Sequence, residues 1–285
     1  MLNSKTGFSL EVEKLCFRDS KGVDQKVGNG AETGTMQNNP QSLFCHGRSI
    51  ENLFYYVRKT IESGRKLAQR EMVWIQHQGE KIQLDAVKDI TGEFNQILLS
   101  PAVFNILLAM VATGLLEAII PELLWGKGLE QSFIHPDDVL THNFRTCSLI
   151  KPKLNLRLAA LLHDVGKPCY YVEDPLVGRR FPEHHLRSAD LVSQILNRFG
   201  YAAEFVSQIQ LLVEKHMFIW HPQDGLQAIN DLMQKVGREN IADLFALIAS
   251  DREAIWGERI KGSNQALWRA LSLVLNNESV FPTSK

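Results

Sequence analysis

The sequence predicts an all-α fold, and two observations carry that prediction. From about Ser42 onward apolar residues recur at helical spacing, and almost nothing alternates with period two. The one strand candidate is a hairpin over WIQHQGEKIQL, near residues 74–84. With strands this scarce, the layers that pack must be helices.

The elements follow in order. Residues 1–41 include SKGVDQKVGNGAETGTMQNNPQ, rich in Gly, Asn, Gln and Thr, and read as a flexible leader. Within it, FSLEVEKLCF reads as a short strand or helix, and GNGAETG lacks the Gly-Lys-Ser/Thr ending of a phosphate loop. SIENLFYYVRKTIESGRKLAQREM has helical spacing. KDITGEFNQILLS and AVFNILLAMVATGLLEAII follow, parted at Ser100-Pro101, where the proline suits the first turn of the second helix. Pro121, Gly126 and Gly128 then break the pattern. Further helices are predicted over DDVLTHNFRTCSLI, NLRLAALLHD, HHLRSADLVSQILNRF, AEFVSQIQLLVEKHM, LQAINDLMQKVG, ENIADLFALIASDREAI and ALWRALSLVLNN. The domains expected are a leader at 1–41, a helical region at 42–125 and a larger helical unit at 126–285.

Composition excludes several classes. The 285 residues are 45% hydrophobic, enough to bury a large core. The formal net charge of −1 gives no global attraction for nucleic acid or anionic membrane, so any phosphate affinity must be local. Between Lys151 and Arg187 seven Lys or Arg face four Asp or Glu, a mildly basic stretch. Cys16, Cys45, Cys147 and Cys169 form no C-x-x-C pair, which predicts reduced thiols in a cytoplasmic protein. No apolar run approaches the roughly 18 residues that span a bilayer, so no membrane partner is expected.

The stretch LLHDVGKP raises a chemical question. An imidazole and a carboxylate, His163 and Asp164, close the apolar run LRLAALL, and burying them is costly unless something pairs with them. A metal ion is one such partner. Other metal-ligand residue types adjoin apolar helical runs: His142, His184, His216 and Asp251. Each helix could aim one polar group into a shared pocket. A mixed imidazole and carboxylate set suits first-row divalent ions, and the lack of a cysteine argues against a structural zinc site. Taken singly, each His could instead cap a helix end.

The order His142, His163-Asp164, His184, His216, Asp251 resembles the HD superfamily of metal-dependent phosphohydrolases. A narrower resemblance covers roughly residues 88–256. KDITGEFNQILLSPAVFNILLAMVATGLLEAIIPEL is similar to the helical neck of bacterial CCA-adding tRNA nucleotidyltransferases. LRLAALLHDVGKP, RRFPEHHLRSADL and VEKHM are similar to the HD part that follows it. Nothing before residue 88 resembles the nucleotidyltransferase head of those enzymes, so nucleotide addition is not carried over.

The resemblance implies an HD helical bundle preceded by a smaller neck-like region. It also implies a divalent transition metal, one or two per chain, with manganese, iron, nickel or cobalt as choices. His142, His163, Asp164 and Asp251 would hold one ion. His184 and His216 would hold a second with Asp164 bridging, or would touch substrate and pass a proton to the leaving oxygen. His185 and His221 are close alternatives to these two, and His185 stands where an acidic or polar residue is expected. The implied reaction is hydrolysis of a phosphomonoester or phosphodiester by a metal-activated water. Lys167, a turn beyond the doublet, is placed to contact the phosphate. Arg145 and Arg187, each three residues after a histidine of the set, and His185 are further substrate contacts. The substrate expected is small and phosphorylated, a nucleotide first, with an RNA 3′ end as a further partner. Two other readings share these residues: a phosphodiesterase of a cyclic nucleotide or dinucleotide, and a non-catalytic regulatory module, derived from a tRNA nucleotidyltransferase, that binds a tRNA or RNA end or a nucleotide.

Overall fold

The computed structural model describes residues 50–276. The expected leader at 1–41, the FSLEVEKLCF segment, Cys16 and Cys45 lie outside the described residues. Within them every regular element is helical, apart from one small hairpin.

The first half builds a layer of short helices: α1 (Ile50–Glu62), α2 (Gln69–Gly79), α3 (Thr91–Leu99), α4 (Val103–Ala112), α5 (Leu115–Ile119) and α6 (Pro121–Leu124). Helix α1 buries Leu53, Phe54 and Val57, a stripe at helical spacing. The predicted hairpin over 74–84 is overturned. WIQHQG belongs to α2, which buries Met72, Ile75 and Gly79, and the chain then enters a 3₁₀ turn, Leu84–Ile90. The Glu71 carboxylate accepts from the Ala68 N–H at 2.6 Å and so fixes the start of α2. The short alternation in that stretch was coincidental with one turn of an amphipathic helix. Pro101 falls two residues before α4, and Pro121 opens α6.

The second half contains α7 (Val139–Leu149), α8 (Leu154–Leu162), α9 (His184–Arg198), α10 (Ala203–Lys215), α11 (Gln227–Val236), α12 (Arg238–Trp256) and α13 (Lys261–Asn276). Helix α8 is the axis of the bundle, packed by α3, α7, α10 and α12. That surround explains its sequence, because eight of its nine residues are buried and LNLRLAALL has no solvent face. Its one cation, Arg157, donates to the Cys147 carbonyl at the end of α7. Asp138 caps α7 by accepting from the Thr141 N–H at 2.7 Å.

The sheet that does exist was not anticipated. β1 (Val172–Asp174) and β2 (Gly178–Arg180) pair antiparallel, with Glu173 opposite Arg179. Strands of three residues are too short to show an alternation. Gly178, the first residue of β2 and just past the turn, has φ +85°, a conformation that favours glycine. A single continuous apolar core runs from α1 to α13, with Phe94 of α3 stacked on Phe199 at 4.9 Å.

Candidate metal centre

Four segments converge at one end of α8. His142 comes from the first turn of α7. His163 and Asp164 form the turn that ends α8, His184 is the first residue of α9, and His216 follows α10. Asp251 lies inside α12, five residues before its end, rather than closing the helix. The structure brings together all six residues singled out by spacing.

Asp164 is at the centre and is almost wholly buried. Its Oδ2 lies 3.2 Å from His163 Nε2, 3.5 Å from His142 Nε2 and 2.5 Å from Lys167 Nζ. Its Oδ1 lies 3.1 Å from His184 Nε2 and 3.7 Å from His216 Nε2. The two carboxylate oxygens therefore face two different sets of imidazoles. Two groups of ligand atoms result, His142–His163–Asp164 and Asp164–His184–His216, each with its atoms within 4.8 Å of one another. Asp251 Oδ1 joins the first, 2.9 Å from His142 Nε2 and 3.5 Å from His163 Nε2.

The imidazoles are oriented for a cation. Nδ1 of His163, His184 and His216 lies 2.9, 2.8 and 2.6 Å from the carbonyls of Ala160, Phe181 and Val213. A carbonyl only accepts, so each Nδ1 carries the proton, and in the neutral ring Nε2 keeps its lone pair. Those lone pairs face each other and the Asp164 carboxylate. His184 Nε2 and Asp164 Oδ1 have no hydrogen-bond partner despite their proximity. Acceptors packed against acceptors in a buried site fit a divalent ion, and the mixed nitrogen and oxygen set suits a first-row metal.

Electrostatics oppose this set in part. Burial disfavours a charged His163, but the Asp164 and Asp251 carboxylates outweigh it and lift the ring to about 10. Burial also disfavours the Asp164 carboxylate, yet His163 and Lys167 hold it well below the usual range. Asp251 is lowered likewise, against its burial, by His142 and His163. His216 goes the other way: burial, then the neighbouring His163, push it down to about 3. Without metal, a proton on His163 takes up part of the carboxylate charge.

Asp164, His184, His216 and Asp251 of the centre line a cleft of about 520 Å³. One wall is the hairpin region, with Val177, Arg179, Arg180 and Phe181. Apolar lining comes from Met217, Phe218, Ile219 and Trp220 and from Ile248 and Ile255 of α12, with His221 and Arg252 also in the lining. Trp220 donates to the Gly225 carbonyl at 2.9 Å, which holds its ring in place. Lys167 is buried between Asp164 and Gln131, whose Oε1 accepts from it at 2.6 Å.

The other sequence-derived contacts are placed differently. Arg145 pairs with Asp137, at 2.5 and 3.1 Å, and lies over the Phe104 ring, away from the cleft lining. Arg187 is exposed, His185 is half-buried, and neither lines the cleft. With His184 turned inward, its next neighbour is rotated about 100° round α9. His221 lines the cleft but is not in either ligand group. Sequence reasoning missed Gln131, Ser132, His135, Arg179, Arg180 and Arg252. Only the His-Pro-Asp-Asp run ahead of α7 offered a signal, a histidine just before a capped helix start.

Residues 141–254 match the family described as HD domain. The A-adding tRNA nucleotidyltransferase of Deinococcus radiodurans is 36% identical over 183 residues, covering 62% of this chain and 42% of that protein. The CC-adding tRNA nucleotidyltransferase of Thermus thermophilus is 30% identical over 197 residues, covering 66% of this chain and 43% of that protein. The chain thus spans less than half the length of the curated relatives it matches. Among the described residues no helix is long and apolar enough to cross a membrane. The chain contains an HD domain at residues 141–254, in an all-α bundle whose relatives are tRNA nucleotidyltransferases.

Proposed function

We propose that this protein is a metal-dependent phosphohydrolase, acting on a phosphomonoester or phosphodiester in a nucleotide or another small phosphorylated molecule. One observation carries the reading: Asp164, in the lining of an open cleft, turns its two oxygens toward two imidazole sets. His142, His163, Asp164 and Asp251 would hold one divalent ion, and Asp164, His184 and His216 a second. Manganese, iron, nickel and cobalt all suit these donors. Such an ion supplies Lewis acidity to a water and to the phosphoryl oxygens.

The protein's own residues do the rest. Lys167, held by Asp164 and Gln131, presents its ammonium to the cleft and binds phosphoryl oxygen. Arg252 and the hairpin cations Arg179 and Arg180 line the same cleft. The apolar wall around Trp220 excludes water and takes the organic part of the substrate. A leaving oxygen needs a proton, and cleft-lining His221 is free of the ligand groups to offer one. Within the described residues, the helices at 50–125 buttress the unit at 126–276. The free thiols Cys147 and Cys169 support action in the cytoplasm.

The names of the two relatives favour a second reading, that the phosphate is carried on a tRNA end, bound with or without hydrolysis. Metal analysis of the purified protein beside Asp164→Ala, with turnover of p-nitrophenyl phosphate and of a 2′,3′-cyclic nucleotide, tests both. Bound metal and turnover lost together in the variant are expected. A folded wild type that hydrolyses neither probe would end the hydrolase reading and leave the binding one, and absence of bound metal would remove the metal centre with it.

A further inference from the structure

The cleft contains an imidazole that neither ligand group uses. His135 lies on the strap between α6 and α7 and lines the cleft together with Ser132, Asp164, Lys167 and Asp251. Its ring stands edge-on to His142, with centroids 5.6 Å apart and planes at 79°. The strap that carries it is tied down on both sides. Phe133 donates its N–H to the Val177 carbonyl at 3.0 Å, and Ser132 bridges Gly178 at the hairpin turn. Gln131 reaches the Asp137 carbonyl with Nε2 at 3.3 Å while its Oε1 holds Lys167. A residue presented this rigidly has lost its conformational entropy before any ligand arrives.

His135 Nδ1 lies 2.7 Å from Ser132 Oγ. A hydroxyl can donate to an imidazole lone pair, and the ring then keeps its proton on Nε2. Nδ1 being engaged by the strap, Nε2 is the nitrogen left for the cleft. We propose that His135 is a substrate-binding hydrogen-bond donor, with the Ser132 hydroxyl fixing the tautomer so that Nε2–H donates to a phosphoryl oxygen alongside Lys167. The chemistry recognised is a phosphate or phosphate ester seated against the metal centre. The proposal rests on the phosphohydrolase reading for what occupies the cleft. Ser132 is a positioning residue that acts through His135.

The test uses the metal-loaded protein and inorganic phosphate as the probe. Calorimetry compares wild type with His135→Phe, His135→Gln and Ser132→Ala, with metal content measured in each. Phenylalanine keeps the ring and removes the donor, so phosphate affinity should fall about 10-fold or more with metal content unchanged. Glutamine puts an amide N–H near the place of Nε2 and should recover most of that loss. Ser132→Ala should lie between. With p-nitrophenyl phosphate the expected signature is a raised KM in His135→Phe, relieved in His135→Gln. In wild type, ¹⁵N-histidine spectra should report the Nε2–H tautomer of His135, and this readout needs no variant to fold and no turnover.

The outcomes separate the two ideas. Wild type that binds phosphate but hydrolyses neither probe ends the phosphohydrolase reading and leaves His135 to be judged on phosphate affinity. Unchanged phosphate affinity in His135→Phe, or an Nδ1–H tautomer in wild type, overturns the His135 proposal while leaving the phosphohydrolase intact. Metal-loaded wild type with no affinity for phosphate overturns the donor role directly.

Discussion

Gly166, two residues after Asp164, has no room for a side chain, and Gly166→Ala tests how the centre is assembled. Its backbone is ordinary, so a Cβ adds no torsional strain. Space is the obstacle. A Cβ there would sit 2.4 Å from the Ser188 nitrogen and 2.8 Å from the Arg187 carbonyl carbon, inside the 3.0 Å limit for such contacts. Both obstructing groups are backbone of the first turns of α9, so the doublet turn and α9 must separate by about 0.6 Å or more, the gap between 2.4 and 3.0 Å. Overpacking of this kind costs roughly 1–3 kcal/mol, and for a domain of this size each kcal/mol lowers Tm by about 2–4 °C.

The functional cost is sharper. His184 opens α9 and moves with it, while Asp164 stays with α8. Their 3.1 Å approach opens, whereas His142, His163 and Asp164 remain together. Metal–ligand distances tolerate only about ±0.2 Å. Affinity should therefore drop roughly 10- to 100-fold at the group that includes His184, with the His142 group nearly unaffected. Metal titration by calorimetry, with metal counted after dialysis and Tm recorded, reads both effects. Ser188→Ala is the control. It removes the 2.9 Å bond from the Gly166 N–H to Ser188 Oγ without adding volume, and should cost only about 1 kcal/mol. Wild-type Tm and metal affinity in Gly166→Ala would refute this account of the close approach.

Other consequences are equally direct. Arg198 grips Glu122 through two bonds of 2.6 and 2.7 Å and ties α9 to α6, so Arg198→Ala should cost about 2–4 kcal/mol by thermal unfolding, because Glu122 is left buried. Phe94→Ala removes the ring stacked on Phe199 at the junction of the two halves and should cost about 3–5 kcal/mol in denaturant unfolding. Burial raises the Cys147 thiol to about 12, so in the native protein iodoacetamide should label exposed Cys169 and leave Cys147 untouched by peptide mass mapping. The sign for stability follows from the same shift: the contribution is complete below the unfolded thiol value near 9 and is lost as pH rises toward 12. Cys147→Ala should therefore show a smaller loss of Tm between these pH values than wild type.

What could be read from the sequence depended on whether chemistry or distance carried it. The helices were legible because burial on one face imposes a period, and α8 announced its central place by having no polar face at all. The six ligand-type residues were legible because a buried acid beside a buried imidazole has no packing purpose. The hairpin over Val172–Arg180 was not, since three-residue strands carry no period, whereas the alternation that read as a hairpin near 74–84 falls largely in α2. The cations went wrong for a related reason. Helical spacing places Arg145 and Arg187 near the histidines of their own helices, but α7 spends Arg145 on Asp137 and α9 turns Arg187 to solvent. Besides Lys167, the cations that reach the cleft are Arg179, Arg180 and Arg252, on a hairpin and on a different helix. A ligand set built on helix ends survives reading in one dimension, because each helix brings its own residue. A substrate pocket is lined by whatever the intervening loops bring back, and His135, held on such a loop by Ser132, becomes visible only once that loop is folded against the hairpin.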